Sequence, residues 1–257
     1  MIDHDSIVIR IAGDSGDGVQ LVGEQLTITA ALQGREVQTL PDYPAEIRAP
    51  AGTVAGVSGF QLAMSDEPIF TAGETCDVLV ALNPAALKQS LPYLDQDGIL
   101  IVNSDSLQDK DWEKAHYDSQ HFQDIQSQYQ LFSIPIIQLT LQAIEGLGLS
   151  QSEGKKAKNC YILGLVLWLF ELPTTDCETF LTTKFKNNQL LQQANLRALL
   201  AGYNYAMTLE LSRRPRSLGH INRVPGEYRH ITGIEAVALG IAAVATGTQI
   251  QTLGRIS

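Results

Sequence analysis

The amino-acid sequence predicts an α/β protein with a doubly wound, Rossmann-like sheet. A short apolar run at 7–12, rich in β-branched residues, precedes a glycine-rich turn and a helical pattern over 19–32. The runs 78–82 and 99–102 are continuously apolar, which is typical of parallel strands covered on both faces. Between them, Asn83-Pro84 supplies a helix cap and a first helical residue. Residues 77–102 therefore form a predicted β-α-β unit.

The remaining elements follow from the same periodicities. The polar stretch 104–130 has few aliphatic residues and is predicted to be an exposed excursion that can hold a short helix. Further strands are predicted at 36–40, 53–62 and 131–137, and further helices at 140–147, 155–170, 175–185 and 189–212.

The chain divides into three predicted parts, 1–190, 191–225 and 226–257, which are a catalytic-type domain, a helix with a linker, and the start of a second domain. The linker is placed around the basic, proline-broken residues 213–216. A helix over 233–245 is apolar nearly all round and so requires burial on several sides. It is expected either to dock on a partner chain or to begin a domain that the chain does not complete.

Composition excludes several classes of function. The net charge of −10 disfavours a nucleic-acid partner and an anionic membrane surface. The longest apolar run, 160–170, is too short to span a bilayer. Three cysteines without a C-x-x-C pair predict neither a zinc site nor an iron–sulfur cluster, and no metal is expected. Sparse cysteine and an acidic start, without a signal peptide, predict a cytoplasmic protein.

The glycine-rich turn allows three interpretations. Residues 13–18 run Gly-Asp-Ser-Gly-Asp-Gly, a spacing that differs from the dinucleotide G-x-G-x-x-G. Asp14 and Asp17 place negative charge where a pyrophosphate needs positive potential, which disfavours a phosphate site. The alternatives are a tight strand-to-helix turn that needs glycine, or a helix start capped by Asp17. The ligand-binding or interface candidates in this turn are Gly13, Ser15, Gly16 and Gly18, and Asn83 joins them from the following β-α unit.

A proline-fenced segment supplies the other candidates. Residues 43–52 run Tyr-Pro-Ala-Glu-Ile-Arg-Ala-Pro-Ala-Gly, and the two prolines stiffen the chain around Glu46 and Arg48. Arg48 is a candidate for gripping an anion, because its planar fork binds phosphate or carboxylate bidentately. Glu46 could orient Arg48 or pair across a subunit interface, and a surface ion pair is the plainer alternative. Because the segment follows the second strand, which is expected to neighbour the first, it should adjoin the glycine turn.

Five segments together resemble the 2-oxoacid:ferredoxin (acceptor) oxidoreductases. The resemblance is to the α subunit of the two-subunit enzymes, such as 2-oxoglutarate synthase, in which a γ domain precedes the pyrimidine-binding domain. It implies oxidative decarboxylation of a 2-oxoacid, with 2-oxoglutarate as the expected substrate, on thiamine diphosphate. Coenzyme A takes the acyl group, and electrons pass through iron–sulfur centres to ferredoxin. The segments are 13–19, 43–52, 77–87, Lys158-Asn159 and 233–240.

The resemblance also implies where the cofactors lie. Thiamine diphosphate, Mg²⁺ and the iron–sulfur cluster are expected in the partner β subunit, and none is expected to bind this chain alone. Coenzyme A is the co-substrate, and the anion for Arg48 would be part of coenzyme A or of the 2-oxoacid. The catalytic residues stay unassigned, and an unrelated nucleotide-binding oxidoreductase is disfavoured by the acidic turn.

The end of the sequence departs from the family's pattern. Residues 246–257 lack the Tyr-Pro-Ile-Thr-Pro stretch of the pyrimidine-binding domain, and Ile234 stands where the family usually has asparagine. The expectation is a truncated or split α subunit. The alternative function is therefore a catalytically silent interaction or assembly module.

Overall fold

A six-stranded mixed sheet forms the centre of the molecule, with helices on both faces. The computed structural model describes residues 6–44, 56–117, 120–211, 226 and 231–245. The strands are β1 (Ser6–Asp14), β2 (Glu36–Asp42), β3 (Val57–Ser65), β4 (Cys76–Ala81), β5 (Leu94–Asn103) and β6 (Gln130–Ile134). The helices are α1 (Val19–Leu32), α2 (Pro84–Ser90), α3 (Asp109–Ala115), α4 (Gln120–Gln128), α5 (Ile136–Ala143), α6 (Gln151–Lys156), α7 (Lys158–Leu169), α8 (Thr175–Lys184), α9 (Gln189–Ala206) and α10 (Gly233–Ala245).

The strand order is β2-β3-β1-β4-β5-β6, and β1, β4, β5 and β6 run parallel to one another. The predicted Rossmann-like α/β fold is confirmed. The expectation that β2 neighbours β1 is wrong, because β3 returns from β2 and inserts between them, antiparallel to both. Every residue of β3 is buried in this central position, which suits a strand that carries no charged side chain. β2 is half-exposed and carries Pro41, which suits an edge strand.

Side chains at alternate positions of the strands pack into two separate cores, one on each face of the sheet. Ile9 and Ile11 of β1 pack with α1, α5, α7, α8 and α9 on one face of the sheet. Val8 of β1 and Leu79 of β4 pack with α2, α3 and α4 on the other face. Because both faces are covered, these strands are apolar at successive positions rather than alternating with polar residues.

The stretch 104–130 differs from its prediction as an exposed excursion. It forms α3 and α4, which cover one face of the sheet and bury Trp112 and Ile125. The Trp112 ring lies 5.8 Å from that of Tyr117 and 5.5 Å from that of Phe122, measured between centroids. The segment is poor in aliphatic residues, and four aromatic or aliphatic side chains at suitable spacing suffice to pack it against the sheet, while most of its other described residues stay at least partly exposed. The prediction used the average composition of the segment and therefore missed the spacing of its few apolar side chains.

Helices α7 and α9 approach each other through glycine. A Cβ atom added to Gly164 would lie 1.9 Å from the Leu199 carbonyl oxygen, and one added to Gly202 would lie 1.9 Å from the Tyr161 carbonyl oxygen. Ala198, Leu199 and Ala206 of α9 belong to the same core as α1 and β1. The helix that begins beside the proposed boundary at 190 thus packs on the sheet domain, while the division into three parts itself stays a prediction.

Helix α10 presents its large apolar side chains to solvent among the described residues. Ile234 and Val244 are each 84% exposed, and Val237, Leu239 and Ile241 are more than half exposed. The requirement of such a helix for burial on several sides stays a prediction. No helix in the described ranges, α10 included, is both long enough and apolar enough to cross a membrane.

Alanine at Gly164 or Gly202 should destabilise the protein strongly. Each new methyl group would overlap backbone atoms that cannot move without separating α7 from α9, so we expect a loss of about 3 kcal/mol or more in the free energy of unfolding. Urea denaturation followed by circular dichroism measures this. Gly240→Ala in α10 is the matched control, since a Cβ there meets nothing within 4 Å. A loss no larger than that of the control would contradict the close approach.

Candidate functional site

The helices leave adjacent strands β1 and β4 toward opposite faces of the sheet. Helix α1 follows β1 and packs on one core, whereas α2 follows β4 and packs on the other. A crevice opens between the carboxyl ends of two strands at such a change of direction, and ligands of open α/β sheets bind there. Asp14 ends β1 and Asn83 follows β4, so both lie at this position.

The turn between β1 and α1 is built on left-handed glycines. Gly16 has φ 100° and Gly18 has φ 79°, a region where side chains cause strain. Gly18 caps α1 without any side-chain hydrogen bond, so the interpretation of Asp17 as the helix cap is wrong. The glycine spacing therefore serves a tight strand-to-helix turn. Gly13 is also tightly enclosed, because an added Cβ would lie 3.0 Å from Asp17 Oδ2 and from Leu82 Cδ1.

Asp17 folds back to hold the turn and to bind the distant helix α7. Its Oδ2 accepts a hydrogen bond from the Asp14 backbone N–H at 3.0 Å, and its Oδ1 lies 2.7 Å from Lys158 Nζ. The ion pair is about four-fifths buried. Lys158 is the first residue of α7, and Asn159 beside it lies against Gly18. The polar residues of α7's first turn thus support the glycine turn.

Asn83 connects the ends of the two parallel strands. Its Oδ1 accepts the backbone N–H of Ala86 at 2.9 Å, which confirms the predicted cap of α2. Its Nδ2 donates to Asp14 Oδ1 at 2.8 Å. The oxygen and the nitrogen of one side-chain amide therefore fix the start of α2 and the end of β1, respectively.

A cavity of about 150 Å³ opens at this position, here called the switch-point pocket. Asp14, Asp17 and Asn83 lie on one side, and Asp111 and Lys114 of α3 lie on another. Because most of the charges around it are carboxylates, the pocket disfavours a phosphate group. Lys158 and Ser106 also line it.

The connection between β2 and β3 leaves from and returns to the same edge of the sheet. Its returning end adjoins the glycine turn, since the Ser15 backbone N–H donates to the Gly56 carbonyl at 3.2 Å. Glu46 and Arg48 lie within 45–55, outside the described residues. The structure thus brings together Gly13, Ser15, Gly16, Gly18 and Asn83, and their role as ligand or interface residues stays a prediction.

Sequence reasoning missed Asp14, Asp17, Lys114 and Lys158 as members of this pocket. Lys158 is separated from Asp17 by 141 positions in the chain, and no periodicity connects them. Lys158-Asn159 belongs to the segments that carry the family resemblance, but neither that resemblance nor the charged start of an otherwise apolar helix indicates contact with Asp17.

Comparisons with known proteins give the family. The chain matches the family described as "Pyruvate ferredoxin/flavodoxin oxidoreductase" over residues 8–205, which is most of its length. The chain belongs to this family. It is also 43% identical over 238 residues to the 2-oxoglutarate oxidoreductase subunit KorA of Mycobacterium tuberculosis, a match that covers 92% of this chain and 36% of KorA. The chain therefore spans about a third of the length of that curated relative.

Solved structures agree in fold. The 2-oxoglutarate:ferredoxin oxidoreductase of Magnetococcus marinus, determined with 2-oxoglutarate, coenzyme A and succinyl-CoA bound, matches 94% of this chain and 37% of its own, at 25% identity and a TM-score of 0.72. The gamma subunit of a keto/oxoacid ferredoxin oxidoreductase from Geobacter sulfurreducens matches 79% of this chain and 99% of its own, at 21% identity and TM-score 0.54.

A third structure, the pyruvate oxidoreductase subunit PORC of Thermotoga maritima, matches 77% of this chain and 96% of its own. Its identity is 23% and its TM-score 0.53. The Geobacter and Thermotoga structures, which are matched over nearly their whole length, share the fold of this chain.

Alanine at Gly16 and at Gly18 should distinguish the energetic cost of backbone strain from that of a close side-chain contact. An added Cβ at Gly18 would lie 2.0 Å from Asn159 Nδ2, whereas one at Gly16 meets nothing within 4 Å. Both have positive φ, so Gly16→Ala should cost about 1–2 kcal/mol of unfolding free energy from strain alone. Gly18→Ala should cost clearly more in the same urea denaturation experiment.

The double variant Gly18→Ala with Asn159→Ala tests the overlap between the new Cβ atom and the Asn159 side chain. Asn159 Oδ1 is buried and accepts no hydrogen bond from the described residues, so removing this side chain breaks no hydrogen bond at that atom. The double variant should recover stability relative to Gly18→Ala. Equal losses for Gly16→Ala and Gly18→Ala would contradict the packing role of Asn159.

Proposed function

We propose that the chain is the γ-type domain of an α subunit in a thiamine-diphosphate-dependent 2-oxoacid:ferredoxin oxidoreductase, with 2-oxoglutarate as the substrate. The reaction is oxidative decarboxylation to an acyl-CoA, with electrons passed to ferredoxin. The observation that carries the proposal is the 43% identity to a 2-oxoglutarate oxidoreductase subunit across 92% of this chain. The TM-score of 0.72 to an enzyme solved with 2-oxoglutarate and coenzyme A supports the same substrate class.

The described residues do not themselves fit thiamine diphosphate with its metal ion. A diphosphate requires cationic or N–H donors, and Mg²⁺ requires carboxylates grouped around one point. The switch-point pocket, at about 150 Å³, is smaller than the roughly 300 Å³ at which ligand pockets begin. Across the described ranges, no group of three or more His, Cys, Asp or Glu side chains is arranged to hold a metal.

The cysteines do not fit an iron–sulfur cluster either. Burial raises the pKa of Cys76 to about 12 and that of Cys160 to about 12, so both remain protonated thiols at neutral pH. Cys76 belongs to the core on one face of the sheet, whereas Cys160 and Cys177 belong to the core on the other. The proposal therefore places thiamine diphosphate, Mg²⁺ and the cluster on a partner β subunit, which also passes electrons to ferredoxin.

Within this proposal, the chain contributes binding and positioning groups. Arg48 grips an anionic part of coenzyme A or of the 2-oxoacid, and Glu46 orients Arg48 or pairs with the partner subunit. The returning end of their segment adjoins the glycine turn through the hydrogen bond between Ser15 and Gly56. The candidates Gly13, Ser15, Gly16, Gly18 and Asn83 shape the same edge of the sheet.

The alternative function is a silent assembly module. The exposed apolar face of α10 favours it, since such a surface is suited to contact with another protein. Co-expression of the chain with a β subunit, followed by a 2-oxoacid-dependent viologen reduction assay, decides between the two. Activity supports the enzyme subunit, and a stable complex without activity supports the module.

The chain alone should bind neither thiamine diphosphate nor NAD. The acidic pocket and the absence of grouped metal ligands among the described residues disfavour the first, and the glycine spacing disfavours the second. Isothermal titration calorimetry of the purified chain, with Mg²⁺ present for thiamine diphosphate, should show no saturable heat. The complex with the β subunit is the positive control. Micromolar binding of either compound to the chain alone would contradict the assignment.

Replacing Arg48 should weaken binding of one substrate. Arg48→Ala, made at the matching position of a full-length complex, should raise the KM for coenzyme A or for the 2-oxoacid about tenfold to a hundredfold, because a charge-assisted hydrogen bond is lost. Arg197→Ala on α9 removes an exposed arginine and is the matched control. Unchanged KM values for both substrates in an assembled complex would contradict the ligand role, and failure to assemble would favour the interface role.

A further inference from the structure

One arginine lies inside the sheet domain where an apolar residue would be expected. Arg10 is in the middle of β1, 4% exposed, and its side chain lies on the face covered by α2. The flanking residues on that face of β1, Val8 and Ala12, are both buried and apolar. A buried guanidinium is unfavourable unless its hydrogen bonds are satisfied, and a well-packed apolar residue often serves stability as well or better. Stability alone therefore gives a poor reason for arginine here.

The guanidinium of Arg10 joins four parts of the chain. Nη2 donates to Asp42 Oδ2 at 2.9 Å, Nη1 to Gln61 Oε1 at 3.4 Å, and Nε to Ser90 Oγ at 3.3 Å. Its carbon lies 4.7 Å from the centroid of the Tyr93 ring. These partners are the last residue of β2, the middle of β3, the last residue of α2 and the 3₁₀ turn after α2.

Gly59 leaves the space through which the ion pair passes. A Cβ atom on Gly59 would lie 3.0 Å from Arg10 Nη2 and 3.3 Å from Asp42 Cβ. Gly59 is opposite Asp42 in the register of β2 and β3. A side chain at this position would displace the guanidinium from the carboxylate, so the sheet is shaped around the Arg10–Asp42 contact.

Asp42 is the point where the chain leaves the sheet toward Glu46 and Arg48. Its carboxylate is held by Arg10, and its carbonyl oxygen accepts hydrogen bonds from Ser58 Oγ at 3.4 Å and Gln20 Nε2 at 3.5 Å. Gln20 Nε2 also donates to Ser58 Oγ at 3.0 Å and to the Gly59 carbonyl at 2.8 Å. The departing end of the connection is thus fixed by side chains from β1, α1 and β3.

We propose that Arg10 is a positioning residue that anchors the departing end of the segment bearing Glu46 and Arg48. The guanidinium binds Asp42 on one side and the end of α2 on the other, and so fixes the outgoing chain relative to the helix that Asn83 caps. Arg10 acts through Asp42 and touches no substrate. The functional value of this anchor rests on the proposed function, whereas the anchor itself is a property of the described residues.

Local hydrogen exchange tests the anchor on the chain itself. In Arg10→Met, exchange at the β2–β3 ends, measured at the amides of residues 40, 42, 43 and 56–59, should accelerate about tenfold or more, while β4 and β5 remain protected. Arg10→Lys should give an intermediate rate, because an ammonium can bind Asp42 but cannot also hold Gln61 and Ser90. Asp42→Asn keeps Arg10 in place and removes the charge pair at a residue whose side chain is 42% exposed, so it decides the question if Arg10→Met fails to fold.

Arg35→Met is the matched control. Arg35 pairs with Asp66 across the opposite ends of the same two strands. Arg35→Met should leave exchange unchanged at the same amides of the β2–β3 ends. The proposal is overturned if these ends keep their wild-type rates in Arg10→Met and Asp42→Asn, if exchange accelerates uniformly through the sheet, or if Arg35→Met loosens the same ends equally.

Kinetics in the full-length complex separate this proposal from the role of Arg48. Asp42→Asn should raise the same KM that Arg48→Ala raises, by a smaller factor, and leave kcat unchanged. If Arg48→Ala alters no KM while the strand ends loosen, the anchor stands and the ligand role of Arg48 fails. If Arg48→Ala raises a KM while exchange at the strand ends is unchanged in Arg10→Met and Asp42→Asn, the anchor fails and the ligand role stands.

Discussion

The hydrogen bond from Asn83 to Asp14 lies where the architecture changes direction. It joins the ends of β1 and β4, the neighbouring parallel strands from which α1 and α2 leave toward opposite faces. Each helix covers a different core, so the crevice between them exists only because these two exits are fixed side by side. The glycine turn, the switch-point pocket and the first turn of α7 are all arranged around this contact.

Two pairs of opposite charges at this edge of the sheet are formed within the protein. Asp17, which follows β1, binds Lys158, and Asp42, which ends β2, binds Arg10, so each aspartate is compensated by a distant cation. Pairing of this kind is of little use for attracting a phosphate, but it holds backbone exits in place because a partly buried ion pair resists separation. This arrangement is consistent with the proposal that the edge positions the segment bearing Glu46 and Arg48.

Much of the fold could be predicted from local patterns. The continuous apolar runs identified buried parallel strands, and the Asn-Pro pair located both the end of β4 and the cap of α2. The position of β3 could not be predicted in this way, because a buried strand shows the same pattern whether its neighbours are parallel or antiparallel. The burial of Trp112 was missed for a related reason, since a few well-spaced side chains can pack a segment whose average composition is polar.

By itself, the sequence determined the class of the fold and the residues of the glycine turn, because these depend on spacing along the chain, and the resemblance of five of its segments indicated the family. Only the tertiary structure decided that Asp17 binds Lys158, that Asn159 supports Gly18, and that Arg10 reaches Asp42. These pairs join residues far apart in sequence, and their contact depends on strand order and helix placement. Strand order depends on how all six strands are placed against one another and against the helices, so no single segment of the sequence encodes it.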